Sequence, residues 1–322
     1  MVIRFFKASY LSRLLALILL ILVLWLPEMI FLTGNVSSGQ TSFLTLNPWI
    51  QQLLSIILFF LTVLLINQVA TKHRLTDRNS YLTAFFFILI GSTSGFLTQM
   101  SPFLLATFFF AFFYQKIFDF QNSTKLITST FNAGIFLGLA SLFFPPAVLL
   151  VLFAWFALLV YQADQWRAYV TVVLGILMPW FFVFSGYFWF NKLPEALSGF
   201  VQYFHFREIV NPFTGNLDLM MFLLVALIIL TGAFSILDSL SSFNISRRQH
   251  ASVSLWGLLF SLLIVFLSTA PVQALMLTAL PASLVIGIFF SQMRRLKWAN
   301  LFVLLWILFI FINHLLPLFY AA

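Results

Sequence analysis

The chain has no cysteine and very little charge. Zero cysteines in 322 residues exclude disulfides, thiolate-held zinc, iron–sulfur clusters and thiol catalysis, and leave the redox compartment open. Charged residues make up 7%, with 16 Lys or Arg and 8 Asp or Glu, whereas a water-soluble domain carries about 25%. So few charged side chains cannot cover a globule of this size. Also missing are a P-loop, an HExxH or GxSxG motif, a run of intramembrane carboxylates and an arginine-rich helix. Ion pumps and proton-coupled transporters need ionisable groups near mid-membrane, and the apolar runs here are nearly free of them. Transport therefore ranks last among the functional readings.

What is present is apolar. Hydrophobic residues make up 62%, Phe alone numbers 44, and the mean hydropathy is +1.07. A helix needs about 20 apolar residues to cross the hydrocarbon core, and on that rule the sequence predicts an all-α transmembrane bundle of about eleven helices. The expected spans are Leu14 to Leu32, Trp49 to Val69, Tyr81 to Gln99, Pro102 to Gln115, Leu126 to Phe144 and Ala147 to Tyr161. They continue with Ala168 to Phe190, Leu219 to Leu237, Ser252 to Ala270, Gln273 to Phe290 and Ala299 to Pro317. The fourth and sixth, 102–115 and 147–161, are short for a full crossing.

Charge orients the bundle. With the N-terminus inside, Arg4, Lys7, Arg13, Lys72, Arg74, Arg78, Lys116, Lys125, Arg167, Arg247, Arg248, Arg294, Arg295 and Lys297 fall on the cytoplasmic side. Lys192 and Arg207 fall outside. That split is the positive-inside bias, and with eleven helices it places the C-terminus outside. The first span is long for a signal peptide and lacks a small-x-small cleavage site, so it reads as an uncleaved anchor. The basic surplus then serves orientation and attraction to anionic lipid, and nucleic acid is not expected as a partner. The whole of 1–322 reads as a single integral membrane domain of a bacterial inner membrane, with enlarged outer loops at about 33–48 and 191–218.

Polar groups that interrupt the apolar pattern mark the candidate sites. Gly91 and Gly95 on the third span, and Gly134 and Gly138 on the fifth, are GxxxG pairs that let helix backbones approach closely, and we read them as packing within the bundle. Pro27 stands immediately before Glu28, which lies roughly 22 Å of helical rise beyond Arg13, in the outer interface. Glu28 is either a headgroup-wetted carboxylate or a general base or metal ligand. In the outer loop, Tyr203, His205, Arg207 and Glu208 alternate with Phe204 and Phe206. This is either an amphipathic interfacial helix, or a headgroup site in which Arg207 grips phosphate, Tyr203 and His205 contact the substrate, and Glu208 moves a proton. His314 falls near the same surface as an interfacial histidine. No residue set points to a bound metal.

The stretch from Asn132 onward, NAGIFLGLASLFFPP, resembles a family of uncharacterised polytopic inner-membrane proteins from Bacteroidota. That family is in turn similar, more distantly, to integral-membrane glycosyltransferases that use polyprenyl-phosphate sugar donors. The resemblance implies a lipid-linked saccharide as substrate, with Glu28 and Glu208 as the catalytic carboxylates and a divalent cation as the one expected cofactor. Those transferases carry an acidic catalytic residue in the first outer loop, and Thr33 to Pro48 has none. The reading from a different class is a non-enzymatic scaffold or partner subunit of an envelope complex, whose partners are membrane proteins.

Overall fold

The computed structural model describes residues 2–6, 11–31, 47–76, 80–93, 100–194, 197–198, 216–267, 271–293 and 296–321. Among them the chain is all α, with no strand. A five-residue helix α1 (Val2–Phe6) precedes eleven longer ones: α2 (Leu11–Phe31), α3 (Pro48–Lys72), α4 (Leu82–Ser92), α5 (Pro102–Phe118), α6 (Leu126–Phe143), α7 (Val151–Val160), α8 (Trp166–Trp189), α9 (Asn216–Ser239), α10 (Ile245–Leu267), α11 (Pro271–Gln292) and α12 (Leu296–Ala321). Six stretches are long and apolar enough to cross a membrane: Trp49–Lys72, Pro102–Gln121, Ser123–Phe143, Trp166–Trp189, Leu223–Ser242 and Ile245–Val265. They mark the chain as an integral membrane protein, because in lipid the backbone groups must be satisfied within each segment.

The described helices follow the apolar runs of the sequence, with two informative departures. The run at 102–115 is not short: α5 continues to Phe118 and then as a 3₁₀ turn through Gln121, giving 20 residues. The run at 147–161 begins as a 3₁₀ helix, Pro145–Leu150, before α7. Six residues at about 2.0 Å and ten at about 1.5 Å give this element roughly 27 Å of rise, close to the core thickness. In the third run the described helix is α4, Leu82–Ser92, and 94–99 lie outside the described residues. The Thr93 hydroxyl donates to the Ile90 carbonyl at the end of α4.

By internal contacts the chain forms two compact units. The first comprises Met1–Leu104, Phe213–Ser241 and Ala282–Ala322. All eleven residues of α4 are buried in it, against α1, α2, α3 and α12. A helix surrounded in this way can be apolar on every side, as LTAFFFILIGS is. Its rings interlock with those of its neighbours: Phe85 stacks on Phe6 at 4.6 Å, Phe86 on Phe290 at 4.7 Å and Phe87 on Phe59 at 5.4 Å. The buried Trp25 donates its indole N–H to Ser92 Oγ at 3.2 Å, and Asn67 Oδ1 accepts the Ala84 amide at 3.4 Å. Gly91 lies buried in this helix.

The second unit comprises Leu105–Pro212 and Ser242–Pro281. Its spine is the α6–α8 pair. Thr130 faces Thr171 with the hydroxyls 2.7 Å apart, Gly134 faces Gly175, Gly138 faces Ile176 and Pro179, and Trp180 Nε1 donates to Ser141 Oγ at 2.8 Å. Both series ascend together, so α6 and α8 run parallel and α7 returns between them. A Cβ on Gly134 would meet the Val172 carbonyl oxygen at 2.2 Å and the Gly175 Cα at 2.8 Å. Only glycine allows that approach. On α10, the notch left by Gly257 takes the end of the Tyr114 ring.

Three helices end in the same way. After α3, α7 and α8, Arg74, Gln162 and Asn191 adopt left-handed φ of 54°, 56° and 56°. The next residue bonds back five positions: Leu75 N to Ala70 O at 2.9 Å, Ala163 N to Leu158 O at 3.0 Å and Lys192 N to Tyr187 O at 2.9 Å. This is the Schellman arrangement, whose left-handed position favours glycine because a Cβ crowds the following carbonyl. Gln162→Gly is therefore expected to stabilise the folded protein by up to about 1 kcal/mol. A lowered thermal midpoint in the purified variant would contradict this.

Candidate functional site

Polar side chains of the second unit converge where α5 ends, α7 ends and α10 begins. Each piece has a local cause. Lys116 and Asp119, one turn apart, lie 4.0 Å from one another at the end of α5. Asn122 then turns the chain, its Oδ1 accepting from the Thr124 hydroxyl at 2.7 Å and the Thr124 amide at 3.3 Å. The Schellman turn at Gln162 leaves Tyr161 at the inner edge of α7. In α10 the charged sequence ISRRQHAS precedes the apolar run, so polar side chains line its first turns.

These pieces are tied together across the chain. Ser246 Oγ donates to Gln121 Oε1 at 2.9 Å, Gln121 Nε2 donates to Gln249 Oε1 at 3.2 Å, and Gln249 Nε2 donates to the Val160 carbonyl at 3.2 Å. Deeper in, His250 is 2% exposed and its Nδ1 lies 2.7 Å from the Tyr161 hydroxyl. Its ring sits against Phe118 with centroids 5.3 Å apart. The Asp119 carboxylate lies near the Tyr161 phenol. The cluster thus holds an imidazole, a phenol and a nearby carboxylate, which are groups able to bind and pass a proton. Among the described residues, no three His, Cys, Asp or Glu side chains gather closely enough to hold a metal ion.

The opposite end of α8 is different in character. Phe181, Phe182, Phe188, Trp189 and Phe190 are all widely exposed, Trp189 at 83%. The 24 residues of α8 put roughly 36 Å between Trp189 and the start of the helix, beside the polar cluster.

The sequence-derived candidates fall elsewhere. Glu28 lies on α2 and His314 on α12, but their side chains lie outside the described residues. Tyr203, His205, Arg207 and Glu208 fall within 199–215, and Gly95 within 94–99, also outside the described residues. Gly134 and Gly138 form the α6 side of the seam with α8. The pattern of the sequence gives no sign of the Tyr161–His250 pair. A single imidazole after a basic doublet and a tyrosine at the end of an apolar run look unremarkable until the fold brings them together across 89 positions.

The model of a family of unknown function, DUF6427, matches residues 11–319. No curated protein matches the chain, and no solved structure does.

Proposed function

The chain belongs to this family of unknown function, and from that premise we propose that it is a multi-pass protein of a bacterial inner membrane that handles a phosphorylated, lipid-linked saccharide or lipid headgroup at its outer face. The supporting observation is the exposed aromatic end of α8, which leads directly into the charged stretch 191–218. Aromatic rings at that depth belong in the headgroup zone, and they are also the surfaces on which sugar rings pack. Lys116, Lys125, Arg167, Arg247 and Arg248 all lie toward the other end of the unit. This favours an inside position for that end and an outside position for the aromatic one.

In this reading Arg207 is the anchor, because its planar guanidinium matches two phosphate oxygens at once. Glu208 beside it accepts a proton from an attacking hydroxyl or holds a divalent ion. Transfer of the sugar from a polyprenyl-phosphate donor is the enzymatic form of the proposal. Native mass spectrometry of the purified protein with polyprenyl phosphates tests it. Arg207→Ala is expected to weaken binding roughly tenfold or more, the scale of a hydrogen bond to a charged group, while Glu208→Gln leaves binding intact and stops any turnover. A parent protein that binds no such lipid would favour the second reading, a non-enzymatic scaffold of envelope proteins. That reading is supported by the large apolar surface that α8 and α9 each leave uncovered.

A further inference from the structure

We propose that the uncovered face of α8 is a binding site for one anionic glycerophospholipid, with Arg167 and Lys125 on its headgroup and an acyl chain laid along the helix. The site begins at the opposite end of α8 from the exposed rings around Trp189, and it does not rest on any activity there. Val170, Leu174, Leu177, Met178 and Phe181 are 43–66% exposed. Their spacing of three or four residues puts them on one face of α8, away from Val172, Gly175, Ile176 and Pro179, which are buried. Exposed Arg167, one turn before Val170, heads that face. From Arg167 to Phe181 the helix rises roughly 21 Å, while one leaflet is about 15 Å deep, half of a ~30 Å core. The stripe can therefore carry an acyl chain through a whole leaflet.

The head of the stripe is cationic. The register that sets Thr130 opposite Thr171 and Gly134 opposite Gly175 sets Lys125, also exposed, level with Trp166. Trp166 is 71% exposed, and an indole of that kind settles in the headgroup zone, which brings Arg167 to the depth of the phosphates. At this end of the unit five cations, Lys116, Lys125, Arg167, Arg247 and Arg248, stand against two carboxylates, Asp119 and Asp164. Lys116 lies 4.0 Å from Asp119, and Arg247 lies over the Phe243 ring at 4.6 Å. Lys125 and Arg167 have no ion pair among the described residues. Charge alone would spread anionic lipid over the whole of this end, and the stripe below Arg167 gives one molecule a place to lie. In the first unit, α9 exposes a similar row, Leu223, Leu227, Leu230 and Phe234, but that row runs down to the exposed carboxylate of Asp238. A lipid anion is repelled there, so α9 serves as an internal reference.

The test uses the full-length protein in phosphatidylcholine nanodiscs that contain a trace of phosphatidylglycerol or phosphatidylcholine with a photoreactive group midway along one acyl chain. Cross-linked α8 and α9 peptides are quantified by mass spectrometry. The phosphatidylglycerol probe is expected to label α8 roughly thirtyfold more than the phosphatidylcholine probe, the scale of two cations at a lipid surface, and to show no such preference on α9. Lys125→Gln combined with Arg167→Gln should abolish the preference on α8, while Lys192→Gln, beyond the far end of the helix, leaves it unchanged. Equal labelling of α8 by the two probes in the parent protein overturns the proposal without recourse to any variant. So does a preference that survives the double substitution, or one that is as large on α9, which would mean diffuse attraction to the protein.

Discussion

Gly134→Ala is expected to cost the folded protein about 3 kcal/mol, and Gly134→Leu to remove most of the detergent-stable protein. The added methyl would sit 2.2 Å from the Val172 carbonyl oxygen and 2.8 Å from the Gly175 Cα. Both obstacles are backbone of a packed parallel helix and cannot swing aside as a side chain would. The helices must separate, and the Thr130–Thr171 and Ser141–Trp180 hydrogen bonds that flank the glycines stretch with them. Gly175→Ala meets the Phe131 carbonyl oxygen at 2.4 Å and should behave alike. Gly186, further along α8 with nothing within 4 Å of its absent Cβ, is the control, and Gly186→Ala should be neutral or slightly stabilising. Thermal midpoints of the three alanine variants decide the matter, and equal midpoints for Gly134→Ala and Gly186→Ala would refute the tight seam.

The second large effect is expected at Gly257. A Cβ there would meet the Tyr114 hydroxyl at 1.9 Å and the ring carbon bearing it at 2.9 Å, inside a fully buried cluster with Phe153. Gly257→Ala should therefore destabilise by about 2–3 kcal/mol. Tyr114→Phe in the Gly257→Ala background removes the closest clash and should recover part of the loss. The single substitution Tyr114→Phe is informative by itself, because the Tyr114 hydroxyl is buried without a hydrogen-bond partner among the described residues. Deleting an unsatisfied buried hydroxyl spares its desolvation cost, so this variant should be at least as stable as the parent, by up to about 1 kcal/mol. A clear loss of stability in Tyr114→Phe would mean that the hydroxyl is satisfied, and a double variant no better than Gly257→Ala would mean that the clash lies elsewhere.

Much of this molecule is legible one segment at a time. Residues 49–69 carry no charged side chain, and α3 covers them; Lys72 and Arg74 lie at the end of α3, and Arg247 and Arg248 at the start of α10. These features follow from local composition, since a long uncharged stretch has one low-energy arrangement in hydrocarbon, the helix that satisfies its own backbone. Even the α6 side of the central seam shows, because Gly134 and Gly138 stand four apart. Its partner does not, since Gly175 is a lone glycine in an apolar run and has no signature until Gly134 is seen against it. The burial of α4 on every side is likewise set by its neighbours.

The sequence by itself determined the solvent, the helices and the expected orientation, because each depends on the summed hydropathy and charge of a contiguous stretch. Only the tertiary structure decided which helices meet, which glycines carry that contact and that Tyr161 finds His250. Lipid supplies no hydrophobic drive between one apolar helix and the next, so partner choice rests on close packing and a few hydrogen bonds between distant residues. Those depend on shape in three dimensions, which no single run of residues encodes.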